Sequence, residues 1–185
     1  YSEAFIARGT INLQQNNIQT ALNDFESAYN LKPHLKHIYS TIINLKIQMG
    51  QFSETIVMLK NLLEHDPNNE EYYFNIGLCN SSLKNMGAAI EAYTRALELN
   101  PRRADIHENL GVCEHKNGNM DAAIKSYKRA LEIKPDLVTA YFNVGQALGE
   151  VREYEEAIRY YNRASLIEPE NPRYHRFLGF TPNLF

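Results

Sequence analysis

The chain has 185 residues, 44% of them hydrophobic and 22% charged, with a formal net charge of −3. That charge and a pI near 6.1 argue against a dedicated nucleic-acid binder, which carries a strongly basic face. No apolar run reaches the ~18 residues of a membrane span, and two cysteines are too few for a disulfide scaffold.

The prolines organise everything else. Pro33, Pro67, Pro101, Pro135 and Pro169 are spaced by 34 residues each time. Gly9, Gly77, Gly111 and Gly145 share the lattice, with Ile43 at the missing point. So do two alanine rows, Ala21, Ala89, Ala123, Ala157 and Ala28, Ala96, Ala130, Ala164, and an aromatic row, Phe25, Tyr93, Tyr127, Tyr161. The second repeat replaces these with Thr55, Leu62 and Leu59. Three- and four-residue steps such as Leu110, Cys113, then Ala123, Ile124, Tyr127, Ala130, Leu131 have helical rather than strand periodicity. In chain order the pattern predicts helices near 2–15, 18–31, 36–49, 52–64, 70–83, 86–99, 104–117, 120–133, 138–151 and 154–167. Turn residues separate the two helices of a repeat, at Asn16-Asn17, Gly50-Gln51, Asn85 and Gly118-Asn119. Each proline ends a second helix, because it lacks an amide N–H and pushes its predecessor out of the helical region.

Counted from Ser2, the repeats run 2–35, 36–69, 70–103, 104–137 and 138–171, with a partial sixth over 172–185. Small residues then fall at positions 8, 20 and 27, an aromatic at 24 and proline at 32. The third to fifth repeats carry this best, as in "HENLGVCEHKNGNMDAAIKSYKRALEIKP". The pattern resembles the tetratricopeptide repeat (TPR). The resemblance implies an all-α fold, a right-handed α-solenoid of antiparallel helix-turn-helix repeats, and one array across residues 1–185. Stacking buries the apolar face that a single helix pair leaves open. The enlarged Ile43, Thr55 and Leu62 lead us to expect a wider second helix pair.

Little in the chain points to catalysis. It has no nucleophile elbow, phosphate loop or zinc-type cysteine spacing, so we expect a non-enzyme with no metal and no cofactor. Cys79 and Cys113 occupy apolar lattice points and read as packing thiols. Asp105, Glu108 and His115 lie along one helix, where solvated charges are commoner than a metal site. His107 and His175 stand at position 4, where the family prefers a large residue, and read as packing residues with a satisfied ring nitrogen. Lys125, Lys128 and Arg129 form a basic run expected on the solvated outer face.

The resemblance further implies that first helices line a concave groove through positions 2, 5, 6, 9, 12 and 13. Position 6 reads Ala7, Thr41, Asn75, Asn109, Asn143. Asn44 and Gln146 stand at position 9, and Phe74, Glu108 and Phe142 at position 5. Packed helices lie ~8–10 Å apart and an extended peptide rises ~3.3 Å per residue, so one asparagine meets about every third peptide residue. An asparagine amide both donates and accepts, and so can hold a backbone without reading side chains; asparagine is also the common residue at position 6 in idealised repeats. Asn44, Asn75, Asn109, Asn143, Glu108 and Gln146 are therefore candidate partner contacts, with Phe74 and Phe142 as apolar anchors. The cations with which chaperone-binding relatives hold a C-terminal carboxylate are missing, and Asp105 stands where one would lie.

These observations lead us to expect a scaffold for a protein or peptide partner within a larger assembly, with neither nucleic acid nor membrane insertion. The alternative is the targeting or substrate-recognition part of a larger enzyme, such as a glycosyltransferase. The chain begins at Tyr1 without a leader-like segment, and we expect a piece of a longer protein in the cytoplasm. Phe177, Leu178 and Phe180 follow the start of a sixth first helix without the polar face of a capping helix. We expect an end contact there, through self-association or additional repeats.

Overall fold

The computed structural model describes residues 1–33, 35–171 and 173. Among them all regular structure is helical: α1 (Ser2–Gln14), α2 (Ile18–Leu31), a 3-10 turn (Lys36–Ile38), α3 (Tyr39–Gln48), α4 (Phe52–His65), α5 (Glu70–Ser82), α6 (Met86–Leu99), α7 (Ala104–Lys116), α8 (Met120–Ile133), α9 (Val138–Glu150) and α10 (Tyr154–Ile167). The chain divides into two compact units, Tyr1–Met58 and Leu59–Phe185.

The same turn joins the two helices of every repeat. Asn16, Gly50, Lys84, Gly118 and Arg152, all at position 15, have φ of 60°, 72°, 63°, 84° and 68°. The next amide reaches back five residues in each case: Asn17 to the Asn12 carbonyl at 2.8 Å, and Gln51, Asn85, Asn119 and Glu153 to those of Lys46, Asn80, Glu114 and Leu148 at 2.9 Å. This is a Schellman close, which satisfies the orphan carbonyls of the first helix. The second helices stop two residues before proline. Lys32, Asn100 and Lys134 are extended there, with φ of −142°, −139° and −131°, as a residue preceding proline must be.

One helix starts differently from the expectation. The helix predicted from residue 36 opens as a 3-10 turn, and α3 begins at Tyr39. Its first residues, Lys36 and His37, are basic where a helix N-terminus favours acids, and Leu35 offers no side-chain cap. The tighter turn instead closes through the Ile38 amide and the Leu35 carbonyl at 3.1 Å.

In the unit Tyr1–Met58, α1 packs on α2 and α2 on α3. Ala21, Leu22, Phe25, Ala28, Ile38 and Ile42 form its core. Two charged groups are buried in it as well. Asp24 accepts from Arg8 through Nε at 3.0 Å and Nη2 at 2.5 Å, and from Asn12 Nδ2 at 2.9 Å. The Arg8 hydrogen bonds hold its carboxyl below the usual carboxylate range. Lys46 pairs with Glu26 at 2.6 Å and Glu54 at 3.3 Å. Ile43 and Thr55, enlarged residues of the second repeat, are buried in this unit, and Leu62, the third, is buried in the other.

In the unit Leu59–Phe185, α5/α6, α7/α8 and α9/α10 form helix pairs, with α7 against α6 and α9 against α8. Glycine at position 8 faces the aromatic at position 24. A Cβ on Gly77, Gly111 or Gly145 would lie 2.5, 2.6 or 2.7 Å from the ring of Tyr93, Tyr127 or Tyr161. The alanine rows at positions 20 and 27 are buried between the paired helices. Cys79 and Cys113 are buried too, and burial pushes the Cys79 thiol up to about 11. A polar bond also ties each of these first helices to the turn before it. Position 4 reaches the carbonyl of the preceding proline: Tyr73 Oη to Pro67 at 3.3 Å, His107 Nε2 to Pro101 at 3.1 Å and Tyr141 Oη to Pro135 at 3.1 Å. Tyr39 donates to the Pro33 carbonyl in the same way in the other unit.

Candidate functional site

The candidate residues fall in both units. Asn44 is exposed on α3, in the unit Tyr1–Met58. Phe74 and Asn75 on α5, Glu108 and Asn109 on α7, and Phe142, Asn143 and Gln146 on α9 belong to the other unit, where α7 neighbours both α5 and α9. Phe177, Leu178, Phe180 and His175 lie outside the described residues.

Asn75, Asn109 and Asn143 are half-buried at one helical register. The Nδ2 of Asn75 donates to the Glu71 carbonyl and that of Asn109 to the Asp105 carbonyl, both at 2.8 Å. Each bond fixes the amide against its own helix and uses one N–H. The second N–H and the Oδ1 atom carry the remaining pairing capacity.

The two phenylalanines differ. Phe74 is half-buried; its ring packs against Tyr93 at 6.0 Å and lies under the Arg103 guanidinium at 5.2 Å. Phe142 is only 3% exposed, which removes it as an open anchor. Its ring packs on Tyr161 at 5.6 Å and is covered by the Arg173 guanidinium at 4.4 Å. The apolar sequence of α9 draws it into the core together with Val144 and Leu148.

Sequence reasoning passed over Arg103. Nε and Nη2 grip Asp105 in a fork at 2.9 and 2.7 Å, while Nη1 reaches Glu71 at 2.6 Å and Glu70 at 3.3 Å. Hydrogen bonding from Arg103 holds the Asp105 carboxyl below its usual range. The only sequence signal was an arginine two residues before an acid at the start of a helix, which is common on surfaces. Asp105 is thus paired with Arg103, and His115 lies 3.0 Å from Glu150 on α9. Among the described residues no group of three or more His, Cys, Asp and Glu is placed to hold a metal ion.

The basic run lies on α8, away from these residues. Lys128 pairs with Glu156 at 2.9 Å and Arg129 with Glu132 at 2.5 Å. Lys125, Lys128, Arg129 and Glu132 line, with His107, Leu110 and Glu114, a groove of ≈ 870 Å³ along α7 and α8. No helix among the described residues is long and apolar enough to cross a membrane.

Family models for the tetratricopeptide repeat match residues 12–75 and 114–179 and residues 85–138. The chain belongs to the tetratricopeptide repeat family. No curated protein matches it. Among solved structures it is similar to MamA, at 25% identity over 89% of this chain and 96% of that one, with a TM-score of 0.82. MamA residues 41 to the end from Desulfovibrio magneticus RS-1 give 13% identity, 92% and 96% coverage and a TM-score of 0.83. YrrB, described as a TPR protein with an unusual peptide-binding site, gives 20% identity, 95% and 91% coverage and a TM-score of 0.78. The fold class is therefore the all-α helical-repeat solenoid of TPR proteins, whose general role is that of a protein-interaction scaffold.

Proposed function

We propose that this TPR chain is a non-catalytic scaffold that holds an extended segment of a partner protein against its first-helix face, within a larger assembly. The observation that carries the reading is the asparagine register on α5, α7 and α9. Asn75 and Asn109 are each fixed by a bond to their own helix and keep an acceptor and a donor at the surface. Fixing the amide before a ligand arrives lowers the entropy lost on binding. Phe74, half-buried beside Asn75, supplies apolar surface for one partner side chain. The description of YrrB as a peptide binder supports the reading by analogy of fold. A cytoplasmic location and one continuous array belong to the same proposal.

The test is to pan a random nonapeptide library on the protein and on the triple variant Asn75→Ala, Asn109→Ala, Asn143→Ala. Alanine is the better helix former, so helicity should be unchanged. Each lost neutral hydrogen bond is worth about 0.5–1.5 kcal/mol, so affinity for selected peptides should fall roughly ten- to a hundredfold or more. Peptides that bind the triple variant as tightly as the parent would overturn the assignment.

A further inference from the structure

The three first helices of the unit Leu59–Phe185 differ in charge from its second helices. On α5, α7 and α9 the charged side chains are Glu70, Glu71, Asp105, Glu108, Glu114 and Glu150 against the single cation Lys116, leaving the histidines aside. The second helices α6, α8 and α10 carry six acids and six bases. With the chain as a whole at −3, the negative surplus of this unit's helices is carried by the first helices, although Glu114 faces α8, where it accepts from Ser126 at 2.6 Å.

Arg103, beside the asparagine register, is not available to oppose it. Four of the five guanidinium N–H groups of Arg103 are taken up by Asp105, Glu71 and Glu70. Three carboxylates surround one guanidinium, so the cluster keeps two surplus negative charges, and Glu108 stands one helical turn beyond Asp105. Glu71 and Asp105 are about half exposed, at 53% and 51% of their side-chain surface. The aromatic rings on this side take cations as well: Arg103 lies over Phe74 and Arg173 over Phe142. The chain's own arginines therefore already occupy ring faces that favour positive charge.

We infer that the segment held on this face is basic, an extended peptide whose lysine or arginine side chains lie beside Glu71, Asp105 and Glu108 while Asn75 and Asn109 pair with its backbone. This rests on the reading above that the first-helix face holds an extended segment, and adds the chemistry of that segment. Complementary charge of this kind sets specificity and speeds association, and it weakens with salt.

The experiment measures fluorescence anisotropy with three labelled nonapeptides that alternate alanine with lysine, with serine or with glutamate. We expect the lysine peptide to bind at least about tenfold more tightly than the serine peptide at low salt, the glutamate peptide to bind least, and the difference to shrink at about 0.5 M salt. Glu108→Gln should weaken the lysine peptide about three- to tenfold. Glu132→Gln, the same charge change on α8, should leave it unaffected. Arg103→Gln, checked for helicity, should tighten it by freeing carboxylates. Equal binding of the three peptides with the asparagine dependence intact overturns the basic preference and leaves the peptide groove standing. Loss of lysine-peptide binding by Glu132→Gln as large as that by Glu108→Gln overturns the placement. Binding of none of the peptides overturns both readings.

Discussion

Position 4 of the repeat shows how one polar atom serves packing. Tyr73, His107 and Tyr141 each present an apolar ring to the interior and a polar atom to a proline carbonyl that no helix N–H serves. Tyr93 is the opposite case: its hydroxyl is buried and finds no hydrogen-bond partner among the described residues. Removing a satisfied hydroxyl and an unsatisfied one should therefore have different signs. We expect Tyr141→Phe to cost about 1 kcal/mol and Tyr93→Phe to be neutral or stabilising by up to about 1 kcal/mol, read from thermal melts of each variant beside the parent. His107 adds a pH dependence. Burial lowers its pKa below the ordinary 6.5, so the unfolded chain takes up the proton first as pH falls. The contribution to stability is complete above the ordinary value and is lost as pH drops from there through the folded value. Restoring the lattice residue with His107→Tyr should make the melting temperature fall less between about pH 7 and pH 5; an unchanged pH profile would contradict the argument.

At the scale of helices, the lattice glycines and aromatics are one steric device. Gly111 leaves the space that Tyr127 fills, and a Cβ there would sit 2.6 Å from the ring. Gly149, also in a first helix, meets nothing within 4 Å. Alanine gains about 1 kcal/mol over glycine in helix propensity at either site, but at Gly111 overpacking of about 1–3 kcal/mol opposes it. Gly111→Ala should thus lower the midpoint of urea unfolding or leave it flat, and Gly149→Ala should raise it. The second repeat follows the same logic in its sequence: where position 8 becomes Ile43, position 24 becomes Leu59 rather than an aromatic. Helix limits were legible because turns and prolines mark them chemically, and the observed ends fall within a residue or two of those read from the spacing, α3 apart. The 3-10 start before α3 was missed because periodicity reports which face is buried, while the start depends on caps and the charges of the first turn.

Across the molecule, the function we propose rests on charges and amides that the packing lattice does not use. The small and aromatic positions are committed to the core, so we expect substitutions at Asn75, Asn109 and Glu108 to leave the fold intact. The second helices hold much of their charge in pairs such as Arg95 with Glu98 at 2.6 Å and Lys128 with Glu156 at 2.9 Å. Paired, exposed charges of this kind contribute little to stability and leave little unbalanced field. The end contact expected from Phe177, Leu178 and Phe180 belongs with the proposals, since those residues lie outside the described ones.

The sequence by itself determined the repeat length, the helix pairs, the family and the register of the asparagines. All of these depend on local spacing, and spacing is written directly in the chain. Tertiary structure alone decided that Phe142 is covered while Phe74 keeps an open part, because burial depends on what the neighbouring helix places above each ring. It also decided that Arg103 is enclosed by Glu70, Glu71 and Asp105. Glu70 and Glu71 lie more than thirty residues away in sequence, and they meet the guanidinium only because neighbouring first helices stack with their N-terminal ends side by side.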